Sequence, residues 1–259
     1  MAKHKRIWNQ SVHEKYLSEG RGCGSGADYV PWIRVQDFSS HGIVSRVKGR
    51  TTGRVHHLLS NNELAYFYML DWSENVTDIR EQFPLSDLHS ALSVAAGAGV
   101  RYPKDNVSGY PYVMTCDFMI TTASGLKART IKMSSELSNP RVLEKLEIER
   151  RYWSVLGVDW KIVTENEISY RKAKSIEWLY TAAGFMLTDT LNEAANELRR
   201  MIVNTERTVT ESTETIDAYY SLSPGTGLQL FKYLVLNRLL IIDMNEPIDL
   251  NRKGFAVAV

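Results

Sequence analysis

The sequence predicts an α/β protein in two parts: an N-terminal domain built on a mixed β-sheet flanked by helices, and a mostly helical C-terminal domain. Across residues 60–163 the apolar pattern switches between helical and strand periods, whereas from residue 171 it is almost entirely helical. With 24% charged and 44% hydrophobic residues, the composition is that of a globular protein. We place the boundary between residues 1–168 and 169–259.

The elements of the N-terminal domain follow from short patterns in the order helix, strand, strand, strand, helix, strand. The first helix has an apolar stripe at Leu64, Phe67 and Leu70, and the last begins with Asn139 as its N-cap and Pro140 at its first position. The stretches are SNNELAYFYMLDW (60–72), VTDIREQFPL (76–85), a hairpin TCDFMITTASGLKARTIKM (115–133), a helix from 140 to a stop at 157, and WKIV (160–163).

The C-terminal domain is predicted to consist of helices followed by a closing β-hairpin. The clearest helices are TLNEAANELRRMIV and SPGTGLQLFKYLVLNRL, the second opened by Ser223 and Pro224, and LLIIDM pairs with GFAVAV. Helices followed by a hairpin resemble a winged helix. Residues 1–60 carry ten Lys/Arg against four Asp/Glu, but beyond residue 168 the count is ten against eleven. Residues 1–60 are therefore the better candidate for nucleic-acid contact.

The hairpin carries one acid on its first strand, Asp117, and ends in Lys132. A turn centred between Ser124 and Gly125 places these two side chains opposite each other, with Cβ atoms roughly 4.5 to 5.5 Å apart. Because Cys116 and its apolar neighbours form the other face, we expect Asp117 to point away from the core. The pair predicts either an exposed salt bridge of little energetic weight or a nuclease site, with a carboxylate for a divalent ion and a lysine near the attacking water.

Glu63 is the candidate second carboxylate. The pattern Ser60-Asn61-Asn62-Glu63 also fits a capping box, in which Glu63 folds back on its own helix end. The pattern leaves both roles open.

Several other charged residues admit two roles. Arg46, Lys48, Arg50 and Arg54 form a basic run without acids, solvated or in contact with DNA phosphates. Glu149 lies among charged neighbours, which favours a solvated helix face over a role in the site. No stretch has the apolar length of a membrane span or the apolar core of a signal peptide, and two distant cysteines argue against a disulfide framework. We expect a soluble, cytoplasmic protein with no membrane partner.

Residues 19–180 resemble the family of TnsA, the endonuclease subunit of heteromeric cut-and-paste transposases. The matching stretches are GRGCGSGADYVPWIRVQ, TGRVHHLLSNNELAYF, VTDIREQFPL, TCDF, LEKLEIERRYW and IEWLY. The resemblance implies a restriction-endonuclease-like N-terminal domain and a winged-helix-like C-terminal domain. It implies Glu63, Asp117 and Lys132 as catalytic residues, with metal held by Glu63, Asp117 and the backbone carbonyl of Ile131. Thr130 stands where such nucleases carry Asp or Glu, and TnsA carries Gln, so one metal ligand is missing; Thr130 and Glu149 are possible helpers.

The resemblance further implies a Mg²⁺-dependent endonuclease, with Mn²⁺ as a substitute, that cuts the 5′ strand of double-stranded DNA at transposon ends. The implied partners are the transposase TnsB, which would cut and join the other strand, and the ATPase regulator TnsC, which would contact the C-terminal domain. It would act on bacterial DNA at the nucleoid. Two alternatives stay open: a self-sufficient restriction-like nuclease, and a DNA-end scaffold that has lost catalysis.

Overall fold

The computed structural model describes residues 7–37, 43–204, 207–253 and 256–258. The chain forms two compact units, Met1–Ser169 and Tyr170–Val259. Among the described residues, no helix combines the length and the apolar character that crossing a membrane requires.

The first unit contains four α-helices and six strands in its described part. They are α1 (Gln10–Ser18), β1 (Ser45–Lys48), β2 (Val55–Leu58), α2 (Asn61–Trp72), β3 (Val76–Pro84), α3 (Leu88–Gly97), β4 (Thr115–Thr122), β5 (Gly125–Ile131), α4 (Pro140–Val155) and β6 (Asp159–Val163). The strands form an antiparallel β1–β2 pair and a four-stranded sheet ordered β3-β4-β5-β6. Because β5 pairs antiparallel with β4 and parallel with β6, the predicted mixed sheet is confirmed.

Helices cover both faces of this sheet. On one face Met119 and Ala128 pack with Ile148 and Trp153 of α4 and with buried alanines of α3. On the other face the ring of Phe118 in β4 lies 5.8 Å from that of Tyr66 in α2. The expectation that the Asp117 face is open to solvent was therefore wrong, because α3 and α4 cover it.

The register of the β4–β5 hairpin also differs from the prediction. Thr122 pairs with Gly125, and Phe118 pairs with Arg129, so the loop is formed by Ala123 and Ser124 rather than by Ser124 and Gly125. Continuing this register puts Asp117 opposite Thr130 and not opposite Lys132. A slip of two residues keeps every side chain on its predicted face, so Asp117, Thr130 and Lys132 still share one face.

The described residues of the second unit form four α-helices and a terminal hairpin. Its elements are α5 (Tyr170–Tyr180), α6 (Asp189–Asn204), α7 (Val209–Tyr219), α8 (Thr226–Leu236), β7 (Leu240–Ile242) and β8 (Ala256–Ala258). The predicted closing hairpin is confirmed for the described residues, with Leu240 opposite Ala258; residues 254, 255 and 259 of the predicted strand lie outside them. The helix predicted from Ser223 begins later, at Thr226, after Gly225 with φ of 89°.

Candidate active site

Glu63 sits in the first turn of α2, where the cap of the helix holds its carboxylate. Ser60 accepts a hydrogen bond from the Glu63 backbone N–H and donates its hydroxyl to Oε1 at 3.0 Å. The Leu59 N–H donates to Oε2, also at 3.0 Å. Glu63 thus folds back on its own helix end as predicted, but its backbone partner is Leu59 and not the N-cap Ser60, so the capping box itself is incomplete. The carboxylate nevertheless faces inward, since the residue is only 6% exposed.

Asp117 reaches the same place from β4. The Ile131 N–H donates to its Oδ2 at 2.6 Å. Its Oδ1 accepts at 3.2 Å from the amide nitrogen of Gln82, and this nitrogen also donates to Glu63 Oε2 at 3.3 Å. The structure therefore brings together the two carboxylates that the sequence singled out, one on either side of a single nitrogen.

Lys132 follows β5 directly and lies beside this pair. Its Nζ donates to the carbonyl oxygen of Ile131 at 2.9 Å. Both Lys132 and Asp117 lie in the described chain, and no ion pair within 4.0 Å joins them. The simple cross-strand salt bridge is thus absent, although the lysine charge still acts on Asp117 from a distance.

Glu149 is buried rather than solvated. It projects from α4 onto β5, where the Thr130 hydroxyl donates to its Oε2 at 2.5 Å and the indole N–H of Trp160 approaches the same oxygen at 3.4 Å. The expectation of a solvated face was wrong for Glu149, but it fits its neighbour Glu147, which pairs with Arg150 and Arg151 on the outer side of the helix. The Thr130 hydroxyl is engaged with Glu149.

The site gathers acidic side chains in a poorly solvated place. Burial, and then the charge of Asp117, raise the pKa of Glu63 to about 8. Burial also raises the pKa of Asp117, against the attraction of Lys132. For Glu149, burial raises the pKa to about 7; the Thr130 hydrogen bond opposes the rise and the charge of Asp117 adds to it. Carboxylates that repel one another in this way favour a proton or a cation between them.

The donor set suits a hard divalent cation. Two carboxylates and the Ile131 carbonyl are all oxygen donors, the kind that Mg²⁺ and Mn²⁺ prefer. Within the described residues, no three His, Cys, Asp or Glu side chains lie close enough together to hold a metal ion. The protein would therefore supply few ligands and leave the others to water and substrate, as is usual where Mg²⁺ meets a phosphate.

The basic run divides into exposed and buried residues. Arg46 and Lys48 alternate on the exposed side of β1, and Arg50 is exposed after it. Arg54 turns inward instead: its side chain is 8% exposed, and its guanidinium pairs with the fully buried Glu81. Burial alone would raise the pKa of Glu81, but hydrogen bonds from Arg54 and His56 outweigh it and hold the pKa at about 2. The structure does not place Arg54 with the other three as a surface for phosphates.

Gln82 is the residue of this site that the sequence did not reveal. The pattern VTDIREQFPL predicts a strand, and β3 confirms it, but a strand pattern does not show which acids a glutamine amide will reach. The signal available in the sequence was an uncharged polar residue between Glu81 and Phe83 in a predicted strand.

Comparison with known proteins agrees with this geometry. A family model described as TnsA-like endonuclease N terminal matches residues 73–165, and one described as TnsA endonuclease C terminal matches residues 167–244. The first match contains Asp117 and Lys132 and begins after Glu63. Over 256 residues the chain is 34% identical to the Escherichia coli protein "Transposon Tn7 transposition protein TnsA", covering 97% of this chain and 93% of the relative. The chain belongs to the TnsA family of transposition endonucleases.

Proposed function

We propose that this protein is the Mg²⁺-dependent endonuclease subunit of a heteromeric transposase and hydrolyses the 5′, non-transferred strand at transposon ends during cut-and-paste transposition. One observation carries the chemistry: the carboxylates of Glu63 and Asp117 converge on one amide nitrogen, and Lys132 touches the adjacent Ile131 carbonyl. This arrangement offers oxygen ligands and a separate cation, as phosphodiester hydrolysis requires.

Glu63, Asp117 and the Ile131 carbonyl would hold Mg²⁺, with Mn²⁺ as a substitute. When bound, the ion would neutralise charge on the phosphate and orient a water molecule. Lys132 would orient or activate that water, because its ammonium lies beside the Ile131 carbonyl and forms no ion pair with either carboxylate. Hydrolysis would leave a 5′-phosphate and a 3′-hydroxyl.

The exposed basic residues of the β1–β2 region are the proposed DNA contacts. Arg46, Lys48 and Arg50 carry three positive charges on one stretch of the first unit, and Arg46 donates an exposed 3.3 Å hydrogen bond to Gln36 Oε1. Exposed basic side chains of this kind bind the phosphate backbone, and such contacts carry no sequence information. Selection of the transposon end would then fall to a partner.

The proposed partners divide between the two domains. Residues 1–168 would cut double-stranded transposon-end DNA, while the transposase TnsB cuts and joins the other strand. Residues 169–259 would bind the ATPase regulator TnsC, since this domain has a nearly balanced charge and lacks the positive excess of a DNA-binding domain. The protein would work in the cytoplasm, at the nucleoid.

A second candidate function is a DNA-end scaffold with weakened catalysis. The engagement of the Thr130 hydroxyl with Glu149 favours it, because a side chain at this position supplies a metal ligand in most nucleases that the chain resembles. A scaffold would bind transposon ends as tightly as an active enzyme and cut neither strand.

Cleavage of end-labelled transposon DNA separates these functions. We expect the wild-type protein, together with its partner transposase, to nick the 5′ strand with Mg²⁺ or Mn²⁺ and not with EDTA. In the same mixture, Asp117→Asn should bind the DNA and leave its 5′ strand uncut. Binding without cleavage by the wild type would establish the scaffold, and cleavage of arbitrary DNA by the protein alone would establish a self-sufficient nuclease.

A further inference from the structure

Gln82 has a backbone conformation that is rare inside a strand. Its φ is 50°, in the left-handed region that a residue with a side chain adopts only where its surroundings enforce it. The neighbours are regular: Glu81 pairs with Phe118 and Phe83 with Cys116 across β4. The irregularity is therefore confined to the one residue that lies opposite Asp117.

The side chain of Gln82 is buried and uses all of its hydrogen-bonding groups. The amide nitrogen has two N–H groups, which can serve two acceptors at once, and its two acceptors are Glu63 Oε2 and Asp117 Oδ1. The amide oxygen accepts from the Thr115 hydroxyl at 3.1 Å. These partners come from α2 and β4, so the amide is held from two elements.

A neutral donor suits a position between two carboxylates that must also receive a cation. An arginine or lysine here would cancel the negative charge that attracts a divalent ion. An apolar residue would leave the two acids without a common donor and free to separate. Glutamine holds both acids and leaves the net charge of the pair unchanged. Asp117 Oδ1 keeps a second lone pair for a metal, and Glu63 keeps one on Oε1, because its Oε2 also accepts from the Leu59 N–H.

We infer that Gln82 is a positioning residue for the proposed metal site: its amide sets the spacing of Glu63 and Asp117, and its left-handed backbone aims the amide at them. The inference rests on the proposed function. Hydrogen-bond partners of metal ligands commonly change metal affinity about 10-fold to 100-fold when they are removed.

The test is Mn²⁺ binding by the full-length protein without DNA, measured by calorimetry and by the electron paramagnetic resonance of the free ion. Gln82→Met keeps the approximate size of the side chain and removes the amide, while Gln82→Gly removes the side chain and accepts the left-handed backbone. We expect both variants to bind Mn²⁺ about 10-fold more weakly than the wild type. The two variants differ in backbone strain and in side-chain volume. A loss of Mn²⁺ affinity common to both is therefore caused by the missing amide.

Ser221→Gly is the matched control, since Ser221 has a φ of 53° and lies in the other unit. It should leave Mn²⁺ affinity unchanged. Gln82 variants that bind Mn²⁺ within twofold of the wild type, or more tightly, would overturn the inference even if the wild type binds well. A wild type that binds no Mn²⁺, or an Asp117→Asn variant that binds as well as the wild type, would overturn the proposed function with it.

Discussion

Glu81→Gln is expected to destabilise the protein strongly, because Glu81 is the acid at the centre of a buried network. It is fully buried, and it accepts hydrogen bonds from the Arg54 guanidinium, from His56 Nδ1 at 2.8 Å and from the His57 N–H at 3.0 Å. The network joins β2 to β3 directly before Gln82. Replacing the carboxylate leaves the Arg54 charge buried without a counter-charge.

Two independent considerations give the magnitude of the destabilisation by Glu81→Gln. Breaking a buried ion pair from one side costs about 3 to 5 kcal/mol. The pKa of Glu81 is about 2 in the fold, against an ordinary value of 4.5, and a difference of this size corresponds to on the order of 3 kcal/mol. Since the pKa is depressed in the fold, this stabilisation is present above pH 4.5 and is lost as the pH falls toward 2.

Glu147→Gln is the matched control. Glu147 also pairs with two cations, Arg150 and Arg151, and its pKa is likewise held at about 2, but its side chain is 32% exposed on α4. Solvent-exposed pairs contribute only about 0 to 1 kcal/mol, and salt screens them.

Urea denaturation of both variants at pH 7, with and without about 0.5 M NaCl, compares them directly. We expect a loss of about 3 kcal/mol for Glu81→Gln that persists in salt. Repeating the wild-type and Glu81→Gln titrations at pH 3 should narrow the gap between them. Equal losses for the two variants, or a Glu81→Gln loss that salt removes, would refute the assignment of Arg54 and Glu81 to a buried structural network.

Three further predictions concern function. Lys132→Ala should slow single-turnover cleavage at least about 100-fold while changing the free energy of unfolding by about 1 kcal/mol or less. Lys132→Arg should not restore the cleavage rate fully. A Lys132→Ala variant that cuts within threefold of the wild type would exclude a catalytic lysine. Lys48→Ala and Arg46→Ala should each weaken DNA binding and reduce its salt dependence by about one phosphate contact, measured by fluorescence anisotropy at several salt concentrations; unchanged slopes would remove this strand from the DNA interface. Residues 170–259, produced alone, should fold and bind the ATPase regulator in a pull-down, and the regulator binding residues 1–169 instead would reverse the assignment of domains.

The fold could be predicted from the sequence where local signals are strong. Asn139 and Pro140 begin α4 as expected, and Ser60 caps α2. The helix α3 was missed, because its buried side is made of small residues such as Ala91 and Ala95, which give a weak apolar stripe. Its N-cap, Asp87, accepts from the Ser90 N–H at 3.0 Å and was the signal that could have revealed it.

The register of the hairpin was predicted wrongly, but the prediction of which side chains share a face was right. The turn was placed one residue too late, because Gly125 was taken as a turn residue, whereas it begins β5 with a φ of 110°. Moving a two-residue turn by one position shifts every pair by two, and a shift of two leaves the faces of both strands unchanged. The prediction that Asp117 and Lys132 share a face therefore survived, while the prediction that they pair did not.

Glu63 shows why the sequence could not decide between a cap and a site. The two roles looked like alternatives because a single pattern, S-x-x-E, accounts for the residue completely. In the structure Oε1 accepts from the Ser60 hydroxyl, and Oε2 accepts both from the Leu59 N–H and from Gln82. The cap fixes the rotamer of Glu63, and a fixed rotamer is what a metal ligand needs. The local pattern thus orients the Glu63 carboxylate. The packing of β3 against α2, which no local pattern encodes, then brings Gln82 within hydrogen-bonding distance of it.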